Sequence, residues 1–184
     1  MSAGVLPTGM AEVDARLPGG GLPKGCLIEL GGGLSSGKGT VTDRLVASLT
    51  LAAGWVGYVD LPATLYPPSL ASAGARLDRL LIVRPSALPQ ALWACELLVR
   101  CRGFDLVVFD LTIAPSPVLA PAPLHRLARV AEQGQAVVLF VTQSSRELDR
   151  RPLPPGVTAL RLAVTRSRCG LDVNVVRRRV GSSE

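Results

Sequence analysis

Histidine is nearly missing from this chain: His125 is the only one in 184 residues. That leaves little room for a histidine metal centre or a histidine-based catalytic triad. Cysteine is sparse and scattered (Cys26, Cys95, Cys101, Cys169) with no C-x-x-C spacing. This fits a reduced cytosolic chain better than a disulfide framework or a zinc site. Aromatics number only seven, and four of them (Trp55, Tyr58, Phe109, Phe140) fall in expected strands, so little is left for a base-stacking platform. No apolar run is long enough to span a bilayer: Leu45 to Gly57 is broken by Ser48, Thr50 and Gly54. The opening MSAGVLPTGM has no basic segment followed by an apolar core, so no signal peptide is expected. What is there is a 48% hydrophobic, 18% charged composition. It excludes a disordered chain or a coiled coil and fits one cytoplasmic domain of ordinary size.

Charge is uneven. The net charge is +6, and the last 39 residues carry nine arginines (Arg146, Arg150, Arg151, Arg161, Arg166, Arg168, Arg177, Arg178, Arg179) against four acids. That stretch sums to +5 and everything before it to +1. Arginine outnumbers lysine 18 to 2, which favours bidentate contacts with phosphate or carboxylate. The asymmetry predicts a polyanion or an acidic partner on one side of the molecule, or simply a solvated basic edge.

Strand and helix signals alternate. CLIEL (Cys26 to Leu30), WVGYVD (Trp55 to Asp60), LLIVR (Leu80 to Arg84), LVVFD (Leu106 to Asp110) and AVVLFVT (Ala136 to Thr142) read as buried strands. Helical spacing predicts helices over 38–53 and 87–102, and a short one over 124–133. LPATLYPP and PSPVLAPAP read as proline-bearing loops. Residues 144–156 are polar and proline-rich, a loop. Val157 to Thr165 and Leu171 to Arg178 predict an antiparallel hairpin. The expected fold is therefore α/β: a mainly parallel central sheet flanked by helices, with the hairpin at one edge.

One motif carries chemistry. Gly32 to Thr40 reads GGLSSGKGT, a G-x-x-x-x-G-K run between an expected strand and an expected helix. There, backbone N–H groups cradle phosphates and Lys38 reaches over them. The loop departs from the working pattern at Gly39, where a serine or threonine hydroxyl is needed for Mg²⁺. Thr40 lies about 100° further round the helix and does not replace it. Asp110, at the end of an apolar strand, suits a Walker B aspartate or a turn cap. Gln143 ends the next strand, where a γ-phosphate sensor fits. The candidate nucleotide-binding set is Gly32, Gly37, Lys38, Gly39, Thr40, Asp110 and Gln143, with no metal ligand and no catalytic residue assigned.

These residues together resemble the RecA recombinase family over about 8–179. TGMAEVD, GGLPKG and SSGK fall in the family's order, LVVFD and VLFVTQ fall where its Walker B and glutamine-bearing strands lie, and GVTALRLAVTRSR resembles the segment after its second DNA-binding loop. The family's water-orienting glutamate corresponds to Pro62, in DLPATLYP. A shortened first DNA-binding loop is expected, and neither the N-terminal polymerisation helix nor a separate C-terminal domain is expected. This pattern of losses resembles ImuA most, a degenerate RecA-type protein of bacterial translesion mutagenesis.

That resemblance implies an accessory protein of the damage-induced (SOS) response. It would bind ATP or ADP without efficient hydrolysis, and its expected partners are an ImuB-like polymerase homologue, RecA or an error-prone polymerase, with DNA a further candidate and a homo-oligomer open. The arginines Arg146, Arg150, Arg151, Arg166, Arg168 and Arg177 to Arg179 are the candidate DNA or partner contacts. Two other readings stay open: a slow DNA-dependent ATPase that modulates recombination, and a division inhibitor of the SulA type.

Overall fold

Five apolar runs become parallel strands of one sheet; four are covered on both faces, and LLIVR, with Leu81 exposed, lies at the sheet edge. The computed structural model describes residues 4–113, 117–143, 153–154, 156–167 and 170–178. In chain order the elements are β1 (Val5–Leu6), α1 (Ala11–Asp14), β2 (Leu22–Pro23), β3 (Leu27–Gly32), α2 (Lys38–Leu51), β4 (Val56–Asp60), α3 (Pro67–Ser72), β5 (Leu80–Val83), α4 (Leu88–Arg100), β6 (Leu106–Leu111), α5 (Pro121–Gly134), β7 (Val137–Gln143), β8 (Leu160–Ser167) and β9 (Gly170–Arg178). The main sheet runs β5-β4-β6-β7-β3-β8-β9, and β1 and β2 form a separate small ribbon. All pairings in the main sheet are parallel except β8–β9. The hairpin thus joins through β8, parallel to β3, and leaves β9 at the edge.

Helices split between the two faces. On one, α2 buries Val41, Leu45, Val46 and Leu49 against Ile28, Leu30, Tyr58 and Val108. On the other, α4 and α5 bury Cys95, Leu98, Val99, Leu124 and Leu127 against Leu27, Val107, Phe109 and Phe140. The Phe109 and Phe140 rings stack there with centroids 5.2 Å apart.

Two expected loops are partly helical. LPATLYPP ends in the first turn of α3, and PSPVLAPAP ends in the first turn of α5, which begins at Pro121 rather than Leu124. Proline is barred from helix interiors, but at the first helical positions its missing N–H has no partner to lose. The TGMAEVD segment is a local staple. Thr8 N and Oγ1 donate to Asp14 Oδ1 at 2.9 and 2.8 Å. Gly9 sits at φ +76° against Ser48, where any β-carbon would collide.

Candidate nucleotide-binding site

The loop after β3 is shaped by glycine at two points. A β-carbon on Gly32 would run into Ser36 Oγ and the Val164 carbonyl. Gly37 has φ +93°, and a β-carbon there would overlap the Leu171 side chain of β9. The hairpin therefore packs directly on the loop. The first helical bond, Val41 N–H to Gly37 O at 3.0 Å, leaves the earlier amide groups of α2 facing outward, as an anion requires. Ser36 Oγ is buried and has no hydrogen-bond partner among the described residues. Lys38 Nζ donates to Gly33 O at 3.0 Å and lies over the loop. Burial lowers the Lys38 pKa, and Asp110 opposes that shift.

The remaining walls come from the carboxyl ends of the strands, the position at which α/β sheets bind ligands. Asp110 Oδ1 accepts from Thr112 N at 2.8 Å and Thr112 Oγ1 at 2.6 Å, and Asp110 Oδ2 from Tyr58 OH at 3.3 Å. Gln143 pairs in register with Gly32 across β3 and β7. Arg166 of β8 stands on the rim, and Thr64, Tyr66 and Ser69 close the far side. The resulting pocket is about 590 Å³, within the usual range for small-molecule sites.

Two acids share it. Burial raises the pKa of Asp110, with Thr112 opposing, and burial also raises that of Asp43, one turn beyond Gly39 on α2. Burial pushes Tyr58 upward as well, helped by Asp110, Asp43 and Asp60. A raised carboxyl pKa means that the folded state prefers the proton. Its cost is absent below the unfolded pKa of 3.8 and complete once pH exceeds the folded value. Asp110→Asn is therefore expected to stabilise the fold at pH 7, with the gain shrinking as pH falls through the raised folded pKa and absent below 3.8. Urea midpoints at pH 3 and pH 7 check this; an equal change at both would contradict it.

Magnesium does not fit this pocket in the usual P-loop manner. Position 39 points into open space, with nothing within 4 Å of where its β-carbon would lie. Thr42 spends its hydroxyl on Lys38 O at 2.9 Å. Asp60, the carboxylate just before Pro62, is fully buried and committed. It accepts from Thr64 N at 3.0 Å, Leu65 N at 3.1 Å and Arg84 Nε at 3.0 Å. Among the described residues no group of three or more His, Cys, Asp or Glu gathers to hold a metal.

Gly37, Lys38, Gly39, Thr40, Asp110 and Gln143 all line this one pocket, while Gly32 lies under the loop and makes room for Ser36. Arg166 lines it too, apart from the arginines at the other end of the hairpin. Arg178 pairs with Leu160 and Arg166 with Leu171, so six residues of β8 separate the two groups. Arg146, Arg150, Arg151, Arg168 and Arg179 lie outside the described residues. Asp43, Tyr58 and Thr112 escaped sequence reasoning. Asp43 stands four residues after Gly39, a helical spacing that puts it on the same face and that the sequence reading did not use.

A parallel sheet whose glycine-rich first crossover turn opens a lysine-headed helix belongs to the P-loop class of α/β folds. Within that class the chain belongs to the RecA family: the model of the RecA N-terminal domain matches residues 1–122. Protein RecA of Heliobacterium modesticaldum is 33% identical over 178 residues, which is 96% of this chain and 47% of that protein. Protein RecA of Caldanaerobacter subterraneus is 31% identical over 156 residues, 76% of this chain and 46% of its own length. Protein RecA of Streptomyces ambofaciens is 40% identical over 113 residues, 61% of this chain and 30% of its own length. The chain spans less than half the length of these relatives. Among the described residues no helix is long and apolar enough to cross a membrane.

Proposed function

We propose that this chain is a RecA-fold accessory protein of the bacterial DNA-damage response, of the ImuA type, which holds a nucleotide without hydrolysing it efficiently and works through protein or DNA contacts. The observation that carries the reading is a pair of losses, one in the loop after β3 and one in the loop after β4. Gly39 offers no metal hydroxyl, and the acid nearest Pro62 is tied up by Arg84 and two amides. Metal and water-orienting groups each contribute several kcal/mol to phosphoryl transfer, so losing both removes turnover and leaves the phosphate cradle. An ImuB-like polymerase homologue, RecA or an error-prone polymerase are the partners this reading names, and the arginine-rich end is its route to DNA.

Binding of a fluorescent ATP analogue together with phosphate release tests it. The expected result is binding that Lys38→Ala weakens at least about tenfold, with no turnover above background even with single-stranded DNA. Turnover at recombinase-like rates would overturn the reading. It would favour the second one, a slow DNA-dependent ATPase, for which the convergence of Lys38, Asp110 and Gln143 on one pocket speaks. In cells, deletion should lower damage-induced mutation frequency rather than change cell length. If the arginines contact DNA phosphates, affinity should fall steeply with added salt.

A further inference from the structure

Position 39 has given up the hydroxyl that would hold a metal ion, yet a phosphate chain in this pocket still needs its charge met. Four charged side chains line the pocket, Lys38 and Arg166 against Asp43 and Asp110. They cancel. Without Arg166 the walls would carry two acids against one lysine, a poor setting for a polyanion. The balance of the site therefore turns on a residue of the C-terminal hairpin.

The hairpin aims Arg166 at the phosphate loop. Residues two apart on a strand share a face, and Val164 is buried in one cluster with Val41 and Leu45 of α2. Arg166 thus leaves β8 on the α2 side of the sheet. Directly opposed residues of an antiparallel pair also share a face. Arg166 opposes Leu171, and Leu171 is the side chain that a β-carbon on Gly37 would strike. Arg166 therefore emerges beside the turn that starts α2. The backbone of β8 lies against the loop too, because a β-carbon on Gly32 would stand 2.9 Å from the Val164 carbonyl. Arg16 Nη1 donates to the Val173 carbonyl at 3.2 Å, and Val173 opposes Val164. This end of the hairpin is tied down before any ligand arrives. Among the described residues Arg166 forms no ion pair, and it is exposed.

We infer that Arg166 binds the phosphates of the nucleotide in place of the missing metal ion, so that the cradle takes a nucleoside polyphosphate without magnesium. This rests on the proposal above that the pocket holds a nucleotide. Arginine suits the task because it is permanently charged and its planar fork donates two parallel hydrogen bonds to phosphate oxygens. Its strand is fixed in advance, so less freedom is lost on binding. A guanidinium neutralises charge but coordinates no water, which accords with binding without turnover. The inference also sets Arg166 apart from Arg177 and Arg178, which the register places at the other end of the hairpin. Its ligand is the nucleotide, and DNA is the competing outcome of the test.

The test titrates the full chain with a fluorescent ATP analogue in EDTA and in Mg²⁺, and with labelled oligothymidylate. The natural chain is expected to bind the analogue equally in both buffers. Arg166→Ala should bind it at least about tenfold more weakly in EDTA, with an unchanged thermal midpoint and unchanged oligothymidylate binding. Combining Arg166→Ala with Gly39→Thr should bring affinity back to within about threefold of the natural chain in Mg²⁺ and not in EDTA. That recovery separates a charge shared between arginine and metal from a loss of local structure. Three results would overturn the inference and leave the nucleotide reading standing: Arg166→Ala binding as tightly as the natural chain in EDTA, natural binding that requires Mg²⁺, or loss of oligothymidylate binding alone. A natural chain that binds no nucleotide in either buffer would overturn both.

Discussion

With threonine in place of Gly39, nucleotide binding becomes magnesium-dependent. The variant is expected to bind an ATP analogue at least about tenfold more tightly with Mg²⁺ than with EDTA, whereas the natural chain binds equally in both. The space for the new side chain exists already, because nothing lies within 4 Å of a β-carbon at position 39. Replacing a first-turn glycine also favours the helix by up to about 1 kcal/mol. Hydrolysis should stay near background in this variant, since Asp60 remains locked to Arg84, Thr64 and Leu65. Adding Pro62→Glu restores a carboxylate at the family's position and should raise turnover by about a hundredfold or more, the size of effect such groups have. Calorimetry with and without metal, then phosphate release, checks both steps. Equal affinity of the Gly39→Thr variant in Mg²⁺ and EDTA would show that the missing hydroxyl is not what disables the site.

The largest stability effect is expected at a charge pair between the central strands. Glu29 in β3 is 2% exposed, and its Oε2 meets Arg161 Nε of β8 at 3.2 Å. Its Oε1 accepts from Thr142 Oγ1 of β7 at 3.0 Å. Removing Arg161 alone strands a buried carboxylate, so Arg161→Ala should cost about 3–5 kcal/mol. At this chain length that is a fall of roughly 10 °C or more in Tm. Replacing the whole cluster with apolar residues (Glu29→Met, Arg161→Met, Thr142→Val) should restore most of the loss, because the cost lies in the uncompensated charge rather than in a lost attraction. Thermal unfolding of both variants decides it; a triple variant as unstable as Arg161→Ala would contradict the account. The pair also fixes β8 against β3 and thereby sets where Arg166 reaches the pocket.

Much of this architecture was legible in advance. Continuous apolar runs such as LVVFD and VVLFVT are what strands covered on both faces require, and the structure places each in the parallel sheet. Lys38, Asp110 and Gln143 were found one by one from strand ends and loop chemistry, and they meet at one pocket. Less visible were the starts of α3 and α5, where proline signalled a loop but occupies the first helical turn. Glu29 was passed over inside CLIEL, because a single acid in an apolar strand acquires meaning only through Arg161, more than a hundred residues away.

Residue order alone was enough to establish the class of fold, and it located the glycine-rich loop, the glycine after its lysine and Pro62 after the next strand. Those depend on local spacing and on the chemistry of single side chains. Tertiary contacts were needed to show that Asp43 and Tyr58 share the pocket, that Arg166 parts company with Arg177 and Arg178, and that α4 and α5 bring Arg100 and Arg126 together on Glu96. Charge and burial act through space. Residues from helices separated by a strand add their fields only once the sheet has set those helices side by side.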